Sequence, residues 1–200
     1  MSRYDVVIIG GGAIGLSSAY YLNKAGYSVV ILDDQTPDQK GSCSWGNGGM
    51  VCPSHFVPLA APGVVKQGLK WLMDPESPFS IEISPSFELF QWLWQFRKAA
   101  NVTHVEKSAN ILRELGMYSR ALYQELNQIL DFGFTEDGIL MLCNENKILE
   151  HELSVSQMAR EMGMKAIDLD SKGVAKIETG MATHLAGGVY YPLDLSLIHI

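Results

Sequence analysis

No apolar stretch in this chain reaches the roughly 18 to 20 residues that a membrane-spanning helix needs, so any membrane contact is expected from the surface only. Cysteine is scarce. Cys43, Cys52 and Cys143 form neither a CxxC pair nor an even framework. That argues against a disulfide scaffold and fits free thiols in a reducing, cytoplasmic compartment; no structural zinc or other metal is expected. Basic residues are outnumbered, 15 Lys and Arg against 22 Asp and Glu, and they do not cluster. With a formal net charge of −7 the electrostatic footprint of a nucleic-acid partner is missing. Internal repeats and low-complexity tracts are missing too. What remains, 47% hydrophobic and 18% charged over 200 residues, is the composition of an ordinary globular protein with enough apolar residues to bury a core.

The most informative stretch comes first. An apolar run, VVIIG from Val6, breaks into GGGAIG, continues as a helical pattern to Gly26, and is followed by a second apolar run, VVIL, that ends on Asp33 and Asp34. Strand, glycine-rich turn, helix and strand make the βαβ unit that holds a dinucleotide. The three glycines serve different ends. Gly10 permits the tight turn, Gly12 lets a pyrophosphate approach bare backbone, and Gly15 lets the helix lie close to the strand. The amides of Ala13 and Ile14, opening the helix, would meet phosphate charge with the positive end of the helix dipole. Asp33, 18 residues past Gly15, stands where a carboxylate accepts ribose hydroxyls and repels a 2′-phosphate. A lone GxGxxG is a weak sign; four elements in register within 33 residues are a strong one. A secretory signal is excluded by Asp5 at the edge of the run and by the glycines that interrupt it.

Beyond Asp34 lies a polar segment, QTPDQKGSCS, and then WGNGGMVCPSHFVPLAAPG, too rich in glycine and proline for a long helix or a central strand. It reads as an extended loop able to pass close to a flat ligand, with Ser44 and Asn47 as hydrogen-bonding residues; the plainer alternative is a surface connection. A short helix is expected over 64–71, broken by DPESPF, and an aromatic helix over 86–99 with Ser86 as N-cap. Phe87, Phe90 and Trp94 recur at helical spacing, which predicts core packing; the sharper reading is an apolar face laid on a bilayer. A long helix over about 105–130 carries Ile111, Leu115, Tyr118, Leu122, Leu126 and Ile129 on one face, read as core. A strand over 138–143, a helix over about 145–162 ending at Gly163, a strand near 165–169, a short helix near 171–178 and a strand over 187–192 complete the pattern.

These residues resemble a family. GGGAIG with Asp33, the loop GSCSWGNGGMVCPSHFVPLAAPG, DPESPF, WLWQF and GGVYYPLD are similar to FAD-dependent D-amino-acid dehydrogenases, within the D-amino-acid oxidase and glycine oxidase superfamily. The resemblance extends to Asp194, and the NGGM loop with PLAAPG is its most specific part. It implies an α/β fold: an incomplete Rossmann-like FAD-binding domain, residues 1–78, with an interleaved α+β substrate domain, 79–193. The implied cofactor is FAD, held by Gly10, Gly12, Ala13, Ile14, Gly15 and Asp33, with Ser44, Asn47, Gly48, Gly49 and Met50 in the loop beside the flavin. Asp34 departs from the basic residue many relatives carry and adds negative charge near the ribose.

The implied reaction is oxidative deamination of a D-amino acid to a 2-oxo acid and ammonia, the Cα hydrogen moving as hydride to flavin N5. Electrons would pass to a quinone or another acceptor rather than to oxygen. Relatives of this kind are often loosely held on the inner face of the cytoplasmic membrane, which the aromatic helix suits. No protein acid or base is strictly required. His55 is the local candidate for shaping the site, weighed against a hydrogen-bonded loop histidine, and no arginine is singled out for a substrate carboxylate. Three other readings compete: an enzyme for glycine, sarcosine or hydroxyproline; a nicotinamide-dependent dehydrogenase, which would not need the NGGM loop; and a non-catalytic dinucleotide module. The ending LSLIHI leaves the family pattern, so residues 195–200 are expected to be a non-native tail and the chain an N-terminal fragment. Such a fragment is expected to bind FAD poorly and to lack useful turnover, with the remaining strands of its sheet supplied from beyond residue 200.

Overall fold

The computed structural model describes residues 3–35, 44, 46–72, 77, 86–180 and 184–197. Most of the DPESPF turn, together with Cys43 and residues 198–200, lies outside them. By contact the chain separates into two compact units, residues 1–49 and 50–200.

In the first unit, β1 (Val6–Ile9) and β2 (Val29–Leu32) pair in parallel, Val6 opposite Val29 and Ile9 opposite Leu32, with α1 (Ala13–Lys24) as the crossover. The β-branched runs favour strands, and a parallel pair needs a crossover, here a helix. Gly10 adopts φ +98°, a conformation that side chains resist, which makes the turn out of β1 possible. A Cβ on Gly15 would overlap the Gly10 carbonyl oxygen, so helix and strand meet only because that position is bare. The sheet has two strands among the described residues, and Ile9 is 89% exposed.

The second unit is built on an antiparallel sheet of β4 (Ile139–Cys143), β6 (Gly187–Tyr191) and β5 (Ile167–Asp170), in the order β4-β6-β5. A Cβ on Gly187 would meet Leu149 of α5 (Asn146–Glu161), and one on Gly188 would meet Val174 of α6 (Ser171–Ile177). Successive strand residues face opposite ways, so the two helices cover opposite faces. Gly163, φ +79°, ends α5 as the sequence indicates: Met164 N–H donates to Ala159 O and Gly163 N–H to Arg160 O. The core gathers Phe56, Ala109, Ala159, Met164, Ala166, Val189 and Tyr191.

The remaining elements are β3 (Met50–Val51), α2 (Val64–Trp71), α3 (Phe87–Ala99), α4 (Val102–Asn127) and β7 (Leu195–Ser196). Ser86 caps α3 by accepting from Leu89 N–H at 3.1 Å. The core expected along α3 is not there: Phe87 is 82% exposed, with Phe90 and Trp94 exposed as well. The stripe expected along α4 is also displaced, with Ile111, Leu115, Tyr118 and Ile129 exposed. The helix packs instead through Val105, Ala109 and Gly116, where a Cβ would lie 3.0 Å from Pro53 Cα. Arg113 and Arg120 extend that face by donating to Met162 O at 2.5 Å and Leu193 O at 2.9 Å. Close approach favoured small residues and arginine stems over the large apolar ones. Leu195 and Ser196, read from the sequence as the start of a foreign tail, are folded in: β7 pairs antiparallel with β3, and Leu195 is buried. No helix among the described residues is long and apolar enough to cross a membrane.

Candidate functional site

The glycine-rich turn gathers most of the residues singled out from the sequence. Asp33 reaches from the end of β2 to accept from Gly11 N–H, while its other oxygen accepts from Gln35 N–H at 2.8 Å. These two bonds hold the Asp33 carboxyl below its ordinary value, Gly11 first and Gln35 second, so it remains an anion through the neutral range. At the helix opening, Ser44 Oγ accepts from Ala13 N–H at 2.9 Å. Two amides of the turn are therefore met by oxygen atoms, one of them anionic, from outside the turn. Ile14 is 85% exposed, and a Cβ on Gly12 would lie 3.1 Å from Ser44 Oγ and near no other described atom. The turn is open rather than packed shut.

Asn47 organises the loop beyond it. Its Nδ2 donates to Ser44 O, and its Oδ1 accepts from Gly49 N–H at 2.6 Å, with Gly49 at φ +58°. Gly48 is exposed at this bend. Such a donor set suits a diphosphate ligand: main-chain N–H groups at a helix start, which the Asp33 and Ser44 oxygens cap here. These residues fit FAD in their chemistry, since the Gly11 and Ala13 amides, bonded here to side-chain oxygens, are donors of the kind a pyrophosphate accepts from.

Met50 and His55 belong to the second unit. Met50 is exposed on β3. His55 is an exposed loop histidine whose Nδ1 lies 3.1 Å from Ser54 Oγ. Ser54 and Asp194 were not singled out from the sequence as site residues. Asp194 has no exposed surface and takes both hydrogen bonds of Ser54, from the hydroxyl and from the N–H at 3.1 Å. They lie 140 residues apart, so only the fold joins them. Cys52 stands beside them, its thiol pushed up to about 11 by burial and then by the Asp194 charge. Arg113, Arg120 and Arg160 are committed to Met162 O, Leu193 O and Asp168, so none of the three is offered freely to a ligand.

Burial raises the Asp194 carboxyl above its ordinary 3.8, against the opposing pull of Ser54 and His55. A group raised on folding contributes stability that is complete below 3.8 and is lost as pH rises through its folded-state value. Asp194→Asn is expected to flatten that pH dependence and to keep the second unit folded at neutral pH. Asp194→Ala leaves the Ser54 N–H without an acceptor and costs about 1–3 kcal/mol. Urea unfolding of both variants from pH 4 to pH 8 checks this.

The comparisons with known proteins agree with this geometry. Residues 5–199 match the DAO family model, described as FAD dependent oxidoreductase. A D-amino acid dehydrogenase of Helicobacter pylori is 33% identical over 152 residues, 76% of this chain and 37% of that protein. The chain thus spans little more than a third of the length of the curated relatives it matches. Among solved structures, glycine oxidase from Geobacillus kaustophilus aligns with a TM-score of 0.66 at 21% identity, over 98% of this chain and 41% of that one. Glycine oxidase from Bacillus cereus ATCC 14579 aligns with a TM-score of 0.61 at 22% identity, over 98% and 40%. These two similarities speak to the fold. With the family model covering nearly every residue, the chain belongs to the DAO family of FAD-dependent oxidoreductases.

Proposed function

We propose that this chain is the N-terminal part of an FAD-dependent enzyme that oxidises D-amino acids to 2-oxo acids and ammonia, passing electrons to a quinone or another acceptor. The observation that carries the substrate class is the 33% identity to a D-amino acid dehydrogenase, alongside the NGGM and PLAAPG segments of the family pattern. FAD, when bound, supplies the two-electron acceptor for a hydride leaving the substrate Cα. The protein's own work in this part of the chain is binding and orientation. The Gly11 and Ala13 amides would exchange Asp33 and Ser44 oxygens for those of the pyrophosphate, releasing Asp33 to the ribose hydroxyls. Gly48 and Gly49 give the loop beside the flavin a backbone without side chains, and Asn47 fixes its bend.

The experiment is dye reduction with a panel of D-amino acids, using the protein extended to the length of its relatives. Turnover with D-amino acids exceeding that with glycine, sarcosine or hydroxyproline supports the reading; the reverse order moves the assignment to those substrates. In the extended protein Asp33→Ala is expected to weaken FAD binding by about ten- to a hundredfold, the loss of charge-assisted hydrogen bonds to the ribose. Flavin retained at wild-type affinity would remove Asp33 from the site.

A further inference from the structure

Cys52, Pro53, Ser54 and His55 form a tight turn closed by His55 N–H donating to Cys52 O at 3.1 Å. Such a turn brings the side chains at its two ends to the same side. The end of the PLD segment then delivers Asp194 to that place from the far end of the unit. Cys52 Sγ, a His55 ring nitrogen and an Asp194 carboxylate oxygen lie within 4.8 Å of one another, and His55 Nδ1 is 4.0 Å from Asp194 Oδ2.

We propose that Cys52, His55 and Asp194 form a site for a divalent zinc-like cation, with solvent in the fourth position. The donor set is one sulfur, one imidazole nitrogen and one carboxylate oxygen, the mixture that borderline-soft Zn2+ accepts in tetrahedral geometry. The donor atoms need to draw together by only about an ångström to surround a centre with bond lengths of roughly 2.0–2.3 Å. His55 can make that movement because it is exposed, while Asp194 is fixed. The fixing groups are the supporting hydrogen bonds that metal-binding carboxylates carry: the Ser54 N–H on Oδ1 and the Ser54 hydroxyl on Oδ2. Each carboxylate oxygen keeps a second lone pair, so these bonds do not compete with an ion. The thiol binds as thiolate and gives its proton to solvent. The expectation of no metal followed from the lack of a CxxC pair; the present cluster is a C-x-x-H completed from the other end of the unit, which spacing along the chain does not reveal.

The test uses the purified chain under a non-chelating reductant, titrated calorimetrically with ZnCl2 and, separately, followed spectroscopically with CoCl2. One zinc per chain and a thiolate-to-cobalt charge-transfer band are expected. Cys52→Ser removes the band and Cys43→Ser keeps it. His55→Ala, at an exposed position that leaves the fold intact by circular dichroism, weakens zinc by more than the ten- to hundredfold typical of a supporting residue, and Ser54→Ala falls within about that range. No stoichiometric zinc, a band that survives Cys52→Ser, or unchanged zinc affinity in His55→Ala each overturns the site. Because His55→Ala does not disturb the core, that variant decides the matter even if Cys52→Ser fails to fold.

Discussion

Gly15→Ala is expected to abolish the folded first unit. The added Cβ would overlap the Gly10 carbonyl oxygen and come within 3.4 Å of Ile8 Cγ2. Backbone on one side and β1 on the other leave no flexible side chain to yield, so helix and strand must separate. The cost is expected at or beyond the upper end of the about 1–3 kcal/mol typical of overpacking. A unit that shows two short strands and one crossover helix among the described residues has little stability to lose. Amide hydrogen exchange would report it: protection at Val6–Ile9 and Val29–Leu32 disappears, while protection at Gly187–Tyr191 in the other unit stays. Gly12→Ala is the contrast, since among the described residues its Cβ meets only the Ser44 hydroxyl, which can rotate away. That variant should keep the protection and lose only the close approach of a ligand. If Gly15→Ala retained protection over β1 and β2, the claim that helix–strand contact depends on this bare position would be wrong.

Tyr191→Ala is expected to have the largest effect in the second unit, about 3–5 kcal/mol. The side chain is 2% exposed, lies in the central strand β6, and packs among Phe56, Ala109, Ala159 and Met164. Its hydroxyl donates to Glu152 Oε1 at 2.8 Å, and burial, followed by the Glu152 contact, drives its ionisation far above the ordinary phenol value. Tyr191→Phe removes only that hydrogen bond and should cost about 0.5–1.5 kcal/mol. Urea midpoints of the two variants separate packing from hydrogen bonding. Equal losses in both would mean that the hydrogen bond, and not the ring, holds β6 in place.

How far the sequence revealed these features depended on the range of the interactions behind them. The βαβ unit, α2, the Ser86 cap and the Gly163 stop were legible because each rests on neighbours within a few residues: β-branched runs, a capping hydroxyl, a glycine with positive φ. The Asp33 position was legible for the same reason, as the end of a strand that must lie beside the turn. Burial was harder to read. Large apolar residues at helical spacing on α3 and α4 suggested core, yet α4 docks through Ala109, Gly116 and two arginines. Helical periodicity gives a face but not its partner, and a face of small residues leaves almost no hydropathy signal. The Ser54–Asp194 pair was beyond any local pattern, because a buried carboxylate and its donors are brought together only when β7 pairs with β3.

The central claim is that the amides at the start of α1 bind the diphosphate of an adenine dinucleotide. A direct measurement is a titration of ADP into the isotopically labelled chain, followed by amide chemical shifts, since NMR detects the weak binding expected of this length. Saturable shifts concentrated at Gly11, Gly12, Ala13 and Ile14, and lost in Asp33→Ala, are the expected result. Amides of that turn that stay still while others move, or that stay still at every ADP concentration, would contradict it.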